Sequence, residues 1–234
     1  MGNRTGMMTI DSYVHVCNRG VRKMPIYRQK SDLWRMVFNL FYLNSVYVSE
    51  NWVRELEKED KDAISHFVWL PKWGEREQLV KIIAYTIVPN HFHLLLKEVV
   101  EGGISRFMHK HSMGYAKYIN TKYKESGSLF QGRFKSKTIN SDEYFRYVAV
   151  YIMVKNTMEL YPNGGIAGAV KNFEHAWEWA VEYPFSSLAE YAGKRHFPIV
   201  EKDLLGELFQ NPREFKAFAK DCILGRKLDI VADL

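Results

Sequence analysis

Alternating hydrophobic and polar positions predict a first β-strand over Ile10 to Asn18, where the sequence IDSYVHVCN is rich in β-branched and aromatic residues. A helical pattern follows, with Ser31 as its expected N-cap. Two more strands are predicted over Gln78 to Val88 and His91 to Glu98, separated only by a Pro-Asn turn signal. Because the connection is so short, these two strands should be antiparallel neighbours.

A long amphipathic helix and a short strand complete the predicted sheet. Apolar residues recur at three- and four-residue steps from Ile104 to Ile119, as in a helix with one buried face. A loop with a short strand follows over Ser126 to Ile139, and a helix capped by Ser141 should extend to about Lys155. The order strand, helix, strand, strand, helix, strand predicts an α+β fold, a ferredoxin-like antiparallel sheet with helices packed on one face.

The 234-residue chain is long enough for one large domain with an appendage. We expect one domain over residues 1–160, with an insertion at about 48–75, and a helical C-terminal extension over 161–234. No long apolar run indicates a membrane span or a secretory signal, so a cytoplasmic protein is expected. Two cysteines, Cys17 and Cys222, are too few for a disulfide framework or a four-thiolate zinc site.

The net charge of +6 is concentrated in one segment. From Gly103 to Asn140 there are eight basic residues and one acidic residue, and the rest of the chain is nearly neutral. Four of the basic residues, at steps of four and seven, lie on one face of the predicted helix: Arg106, Lys110, Lys117 and Lys124. This basic ridge could neutralise nucleic-acid phosphates or could be an ordinary solvated helix face.

Aromatic residues are interspersed with these cations, and they could stack on nucleic-acid bases or belong to the core. They are Tyr115, Tyr118, Tyr123, Phe130 and Phe134. The pattern favours the core for most of them.

Two histidines one residue apart form the clearest local motif. Strand alternation puts His91 and His93 on the same face of the sheet, with Cα atoms about 7 Å apart. Imidazole binds divalent metals, but two nitrogens leave a site incomplete, and a carboxamide or carboxylate with water must complete it. Taken alone, the motif is more typical of a structural pair near the start of a strand.

Tyr151 is the second candidate, in the helical sequence SDEYFRYVAVYIMVKN. It falls at helical spacing with Tyr144, Tyr147 and Val154, a pattern typical of a buried aromatic stripe. A phenol with a pKa of about 10 is a useful nucleophile only when a metal or a base lowers the cost of its deprotonation. A chemical role for Tyr151 therefore needs a partner such as the histidine pair.

Four blocks of the chain, in this order, resemble the single-tyrosine HUH transposases of bacterial insertion sequences, and in particular the branch associated with repetitive extragenic palindromes. The blocks are YVHVCNRGVRKMPIY, IVPNHFHLLLKE, GYAKYINTKYKESGSLFQGRFKSKTI and DEYFRYVAVYIMVKN. The resemblance extends over about residues 10–160, and four ordered blocks are far more specific than any one of them.

The resemblance implies a role for each motif. His91 and His93 match the two HUH histidines, which in the family bind a divalent cation, usually Mg²⁺ or Mn²⁺. Tyr151 matches the nucleophile that attacks a scissile DNA phosphate and forms a 5′-phosphotyrosyl protein. The expected partner is single-stranded or hairpin DNA, with no membrane partner, in a bacterial cytoplasm and associated with the nucleoid. A homodimer is one assembly that the resemblance allows.

The third metal ligand of the family is an Asn or Gln four residues after the tyrosine, where this chain has Lys155. Asn156 comes one residue later, which turns its side chain by about 100° on a regular helix. Asn156 can therefore ligate only if the helix ends or bulges there, and on that condition we expect it to be the third ligand. Lys155 is then expected to face a phosphate.

Arg133 and Lys135 match a further block of the family and are expected to contact DNA phosphates. The alternative is that they are simple edge-strand cations. Two other functions remain open from the sequence. The displaced Asn156 is compatible with a DNA-binding protein that has lost cleavage, and the histidine pair is compatible with a phosphodiesterase that uses water while Tyr151 is structural.

Overall fold

The computed structural model describes residues 4–5, 8–225, 228 and 231. Its centre is a five-stranded sheet with the order β1-β5-β2-β4-β3. The strands are β1 (Arg4–Thr5), β2 (Tyr13–Arg19), β3 (Val80–Val88), β4 (His91–Glu98) and β5 (Lys135–Thr138). The two-residue β1 is parallel to β5, and every other neighbouring pair is antiparallel. The order β5-β2-β4-β3 is the predicted ferredoxin-like arrangement.

Three predicted strand boundaries need correction. The first long strand ends at Arg19 rather than Asn18, and β3 begins at Val80 rather than Gln78. The first long strand begins at Tyr13 rather than Ile10 because Asp11 has a positive φ of 65° and the amide of Thr9 bonds the hydroxyl of Ser12 at 3.2 Å. These residues form a turn that breaks the alternation. The adjacent β3–β4 hairpin has the predicted antiparallel pairing.

The helices of the described residues follow the strands in the predicted order. They are α1 (Lys30–Tyr42), α2 (Trp52–Glu59), α3 (Gly103–Tyr123), α4 (Asp142–Val150), a π-helical segment (Tyr151–Lys155), α5 (Asn156–Met158), α6 (Gly165–Lys171), α7 (Phe173–Val181), α8 (Leu188–Tyr191), α9 (Asp203–Leu208) and α10 (Pro212–Leu224). Short 3₁₀ turns occupy Val21–Lys23 and Pro71–Trp73.

The two predicted helix caps have different outcomes. Ser141 caps α4 as expected, since its hydroxyl accepts the amide of Tyr144 at 3.2 Å. Ser31 does not cap α1, whose N-cap is Gln29, two residues earlier than predicted. The carboxylate of Asp32 reaches back to the amide of Gln29 at 3.1 Å, so an acidic residue inside the first turn stabilises this helix start instead of a hydroxyl before it.

Helices cover both faces of the sheet. The connecting helices α1 and α3 lie together on one face, as predicted, over a core that includes Val14, Val16 and Leu94. The opposite face carries Ile83 and Leu95, and there α4 and the C-terminal helices form a second core. Alternation along each strand separates these two sets of side chains. Tyr151 belongs to the second core, so this second layer carries it to the sheet.

The segment 48–75, predicted as an insertion of uncertain conformation, joins the first core. Trp52 stacks on Tyr42 with ring centroids 4.4 Å apart, and Trp73 packs edge-on against the same tyrosine at 6.3 Å. Both cysteines of the chain, Cys17 and Cys222, are buried. Across the described residues, none of the helices has the length and apolar character that a membrane crossing needs.

The C-terminal part of the chain covers the outer edge of β3. The amide of Ile87 donates to the carbonyl of Phe185, and the amide of Ser187 donates to the carbonyl of Tyr85, both at 2.9 Å. Farther along the same edge, the amide of Glu201 donates to the carbonyl of Ile82 at 3.0 Å. An edge strand that is paired in this way is not free to join another sheet.

Candidate active site

Strand register gathers polar residues on the face of the sheet opposite α1 and α3. Cys17 of β2 pairs with His93 of β4, and Arg19 pairs with His91. His15, two residues before Cys17, points to the same side because side chains alternate along a strand. The predicted histidine pair thus lies beside a third histidine, a thiol and an arginine.

Tyr151 lies over this group of residues. The rings of His91 and His93 have centroids 5.0 Å apart, and the Tyr151 ring lies 5.5 Å from His93 and 5.9 Å from His15. All four rings belong to one chain. The sequence predicted a meeting of Tyr151 with the histidine pair, and the fold brings them together. We call these four residues the histidine–tyrosine cluster.

Hydrogen bonds hold both predicted histidines through Nδ1. His93 Nδ1 lies 2.8 Å from His15 Nε2, and His91 Nδ1 lies 2.6 Å from Asn90 Oδ1. The Asn90 amide is held in turn, since its Nδ2 donates to the carbonyl of Lys23 at 3.2 Å. Within the described chain, neither His91 nor His93 has a hydrogen bond at Nε2, so that nitrogen is the one available to a ligand.

The imidazoles are neutral at physiological pH. Burial, and then the positive charges of Arg19 and Lys155, lower the pKa of His91 to about 4. Burial also lowers the pKa of His93 well below its ordinary value, with the other histidines of the cluster adding to the effect. The pKa of His15 is lowered to about 3, mainly by burial. Neutral imidazoles offer a lone pair to a metal or a proton.

Tyr151 is protonated at neutral pH. Its side chain is nearly buried, and this burial, followed by the negative charge of Glu159, raises its pKa to about 12. The ammonium of Lys155 lies 4.9 Å from the Tyr151 ring centroid and forms an ion pair with Glu159 at 2.5 Å. Arg19 acts in the opposite direction and lowers the pKa of the phenol. Activation of this phenol requires further positive charge or loss of the Glu159 charge.

The chain bulges where the sequence required it. Tyr151–Lys155 is a π-helical segment, and the amide of Asn156 donates to the carbonyl of Tyr151, five residues back. A π turn accommodates one extra residue without changing the helix on either side. The helix therefore bulges after Tyr151, which is the condition under which we expected Asn156 to be the third metal ligand.

Asn156 itself is buried, and its amide nitrogen has no hydrogen-bond partner among the described residues. Within the π segment, the carbonyl of Met153 accepts the hydroxyl of Thr157 at 2.8 Å. It also accepts the hydroxyl of Ser186, from the C-terminal segment, at 3.3 Å. The C-terminal segment that covers β3 thus also anchors the turn that carries Tyr151.

These residues could hold a divalent cation. The donor set comprises His91 Nε2, His93 Nε2 and the carboxamide of Asn156, a combination of the kind that divalent first-row metals accept. No group of three or more His, Cys, Asp and Glu side chains is arranged for metal binding in the part of the chain that the structure describes. A metal site here would need the carboxamide.

Positive charges surround the histidine–tyrosine cluster. Arg19 follows Cys17 on β2, Lys135 pairs with Cys17 from β5, and Lys155 lies beside the Tyr151 ring. We call Arg19, Lys135 and Lys155 the cationic rim. Lys135 and Lys155 were predicted to contact phosphate, and their contact with DNA stays a prediction. Arg133, the other residue so predicted, is exposed in the loop before β5.

The basic ridge of α3 lies elsewhere. Because α3 packs on the face opposite Tyr151, the fold separates this ridge from the histidine–tyrosine cluster. Arg106, Lys117 and Lys124 are exposed, whereas the Lys110 ammonium donates to the carbonyl oxygens of Ser45 at 2.6 Å and Val46 at 3.1 Å. Lys110 thus holds the loop after α1, and the ridge as a DNA-binding surface stays a prediction.

The interspersed aromatic residues are mostly structural. Tyr115, Phe130 and Phe134 are buried in the first core, so they cannot stack on bases. Tyr118 and Tyr123 are half-buried and donate their hydroxyls to the buried carboxylate of Asp32, at 2.9 and 2.7 Å. The core interpretation of these residues is therefore the correct one.

Three residues of this site were not predicted from the sequence: His15, Arg19 and Asn90. His15 lies in the first predicted strand and alternates with Cys17, which indicated a shared face, but nothing local showed which strand it would pair with. Arg19 was expected to follow the end of that strand, whereas the observed strand includes it. Asn90 was interpreted only as a turn residue. Its position directly before His91 was the available sign that its side chain could reach the imidazole.

Comparisons with known proteins agree with the motifs. Residues 72–155 match the model of the family described as "Transposase IS200 like". Among the curated proteins none matches the chain. A solved structure of a "REP associates tyrosine transposase bound to a REP hairpin" is similar, with 12% identity, a TM-score of 0.47, and coverage of 86% of this chain and 91% of that chain. The family match confirms the resemblance to IS200-like transposases for the segment 72–155, which contains His91, His93 and Tyr151.

Proposed function

We propose that the protein is a DNA transposase that cleaves and rejoins single-stranded or hairpin DNA through a covalent 5′-phosphotyrosine on Tyr151. The observation that carries this proposal is the 5.5 Å separation of the Tyr151 and His93 rings within a cluster of neutral histidines. The family match over residues 72–155 supports the same chemistry.

In the proposed cleavage, the Tyr151 hydroxyl oxygen attacks the scissile phosphorus. A phosphorus–oxygen bond to the phenol forms, and the bond to the 3′ oxygen of the preceding nucleotide breaks. The phenolic proton passes to solvent water, and the leaving oxygen takes up a proton from water to become a 3′-hydroxyl. One phosphodiester replaces another, so a DNA 3′-hydroxyl can reverse the step at a new junction without ATP.

The cationic rim suits the negative charge of this reaction. Arg19 and Lys155 are close enough to the histidines to lower the pKa of His91, so they can pair with non-bridging phosphate oxygens in the same space. Lys155 also lies beside the phenol that must lose its proton. When Lys155 pairs with the phosphate or the phenolate in place of Glu159, the cost of forming the phenolate falls.

The expected Mg²⁺ or Mn²⁺ would be held by His91, His93 and Asn156. When bound, such a cation polarises a non-bridging phosphate oxygen and offsets charge that develops on the phosphate. The two histidines enter binding without a proton to displace, because burial keeps them neutral. The π segment supports the assignment of Asn156, since it absorbs the one extra residue after Tyr151.

The chemistry needs only one copy of the chain in this proposal. Tyr151 lies over the histidines of its own chain, and the outer edge of β3 is paired with the C-terminal segment of the same chain. We therefore infer that Tyr151 acts on DNA bound at its own histidines, whether or not the protein forms a homodimer. The DNA substrate puts the protein's action at the bacterial nucleoid, in the cytoplasm.

A denaturing gel tests the proposal. A labelled single-stranded hairpin DNA is incubated with the protein and Mn²⁺. A covalent adduct is expected for the wild type and for the control variant Tyr147→Phe, whose tyrosine lies in α4, four residues before Tyr151. Tyr151→Phe should form no adduct and still bind the DNA. Cleavage without an adduct would instead identify a hydrolase, and binding without cleavage would identify a DNA-binding protein.

A further inference from the structure

We propose that Asn90 and His15 are positioning residues: Asn90 holds the proton of His91 on Nδ1, and His15 accepts the Nδ1 proton of His93 when a metal binds, so that Nε2 is the metal-binding nitrogen of both histidines. This inference rests on the proposed function for the metal, but its structural part concerns hydrogen bonds that exist without one. A neutral imidazole carries one proton and one lone pair, on different nitrogens. Which nitrogen can bind a metal is therefore decided by where the proton is held.

The case of His91 follows from the orientation of the Asn90 amide. Its Nδ2 donates to the Lys23 carbonyl at 3.2 Å, and a carbonyl oxygen can only accept. The other end of the amide, Oδ1, must then face His91, 2.6 Å from Nδ1. Since Oδ1 has no proton to give, His91 Nδ1 must be the donor. The proton of His91 is held on Nδ1, and the lone pair is on Nε2.

The case of His93 involves a choice between two arrangements. His93 Nδ1 and His15 Nε2 lie 2.8 Å apart, and only one of them carries the shared proton. If His15 donates, the proton of His93 is on Nε2 and blocks the ligating position. If His93 donates, its Nε2 is free, and the proton of His15 is on Nδ1. Metal binding selects the second arrangement, in which His15 is the acceptor.

His15 is fully buried, and its Nδ1 has no hydrogen-bond partner among the described residues. Its only described side-chain hydrogen bond is the one to His93, so no third group holds the His15 proton on Nε2. The ring can therefore accept the Nδ1 proton of His93 when a metal binds. Partners of this kind hold metal-binding histidines in one tautomer and one orientation, and their loss commonly lowers metal affinity about 10- to 100-fold.

The tautomers are measured first, on metal-free wild-type protein with ¹⁵N-labelled histidines. Two-dimensional ¹H–¹⁵N spectra of the imidazoles should give a Nδ1–H form for His91, and Asn90→Ala should shift that ring toward Nε2–H. Addition of Zn²⁺ as a diamagnetic probe should give a Nδ1–H form for His93. A Nε2–H form of His91 in the wild type, or of His93 with Zn²⁺ bound, would overturn the inference.

Mn²⁺ affinity, measured by calorimetry, is the second arm. Asn90→Ala and His15→Leu should each weaken binding about 10- to 100-fold. Asn90→Asp and His15→Gln keep an acceptor near the same position and should bind within a few fold of the wild type. Equal affinities for the two members of each pair would contradict the proposed role. A merely structural role predicts no such rescue.

The two proposals fail in different ways. Wild-type protein that binds no Mn²⁺ and forms no DNA adduct would contradict the proposed function, while the metal-free spectra would still decide the hydrogen bond of His91. Wild-type protein that binds Mn²⁺ and forms the adduct, with the substitutions at Asn90 and His15 having no effect on affinity, would overturn the positioning role alone.

Discussion

The ring of Tyr151 lies 5.5 Å from the ring of His93 at an interplanar angle of 89°, although one residue is on a helix and the other on a central strand. The contact depends on the second helical layer, which packs α4 and the π segment onto the face of the sheet that carries the histidines. It also depends on the C-terminal segment, because Ser186 donates to the Met153 carbonyl within the π segment. The tyrosine and the histidines are thus positioned by rigid elements rather than by loops.

Glu159 and Lys155 should affect the Tyr151 phenol in opposite directions. Glu159 raises the pKa of Tyr151 and also forms an ion pair with Lys155. Glu159→Gln removes the negative charge, so at neutral pH the phenolate fraction should rise and single-turnover cleavage should become several-fold faster. Lys155→Met removes the cation and should slow cleavage about 10-fold or more. Slower cleavage by Glu159→Gln, with folding intact, would contradict this electrostatic account.

The π segment can be tested by removing one residue. Deletion of Lys155 leaves Asn156 four residues after Tyr151, the spacing of a regular α-helix, and the extra residue that the π turn accommodates is gone. We expect this deletion to retain Mn²⁺ affinity within about 10-fold, whereas Asn156→Ala should lose more. The assay measures Mn²⁺ binding and the melting temperature, since cleavage also depends on the Lys155 charge. Wild-type Mn²⁺ affinity in Asn156→Ala would exclude Asn156 as a ligand, and a deletion variant that melts normally but no longer binds Mn²⁺ would contradict the compensating role of the π turn.

Parts of this architecture could be predicted from the sequence and parts could not. Apolar, β-branched content and a Pro-Asn turn signal identified the β3–β4 hairpin, and strand alternation put His91 and His93 on one face, because that information is local. His15 was missed because its partner depends on the pairing of β2 with β4, a long-range register that packing decides. Tyr151 looked structural by pattern, and only the resemblance to a family connected it with the histidines.

The basic ridge illustrates the same limit of local patterns. Helical periodicity correctly put Arg106 and Lys117 on one exposed side of α3. It contains no information about which face of the sheet the helix covers, and α3 covers the face opposite Tyr151. The spacing after Tyr151 was equally ambiguous, since a regular helix and a π turn differ by one residue and share the same apolar pattern.

Acid should destabilise the protein through its buried histidines. Burial lowers the pKa of His15 from an ordinary value of 6.5 to about 3. Below pH 6.5 the unfolded chain therefore takes up a proton that the folded chain does not, and stability falls as pH falls. Between pH 7.5 and 5.5 His15 should account for a loss of about 1 kcal/mol in the free energy of unfolding.

Urea denaturation at those two pH values measures this loss, and His15→Gln is the comparison. The variant can be less stable at both pH values, but its pH-dependent loss should be smaller than that of the wild type by the same amount, about 1 kcal/mol. An identical pH dependence in the two proteins would mean that His15 takes up its proton in the folded state too.

The cationic rim and the α3 ridge should differ in which step of the reaction they affect. Arg19 is paired with His91 across the strands and lowers the pKa of Tyr151, so Arg19→Ala should slow cleavage at saturating DNA at least 10-fold.

Lys117 is exposed on α3, on the opposite side of the sheet, so Lys117→Ala should leave the rate at saturating DNA unchanged. If Lys117 contacts a phosphate, its replacement should change only binding, with the slope of log affinity against log salt falling in magnitude by about one. Single-turnover rates at saturating hairpin DNA, with affinities measured at several salt concentrations, separate the two effects. A cleavage defect in Lys117→Ala as large as that in Arg19→Ala would mean that DNA reaches the cluster along α3, which the separation of the two faces argues against.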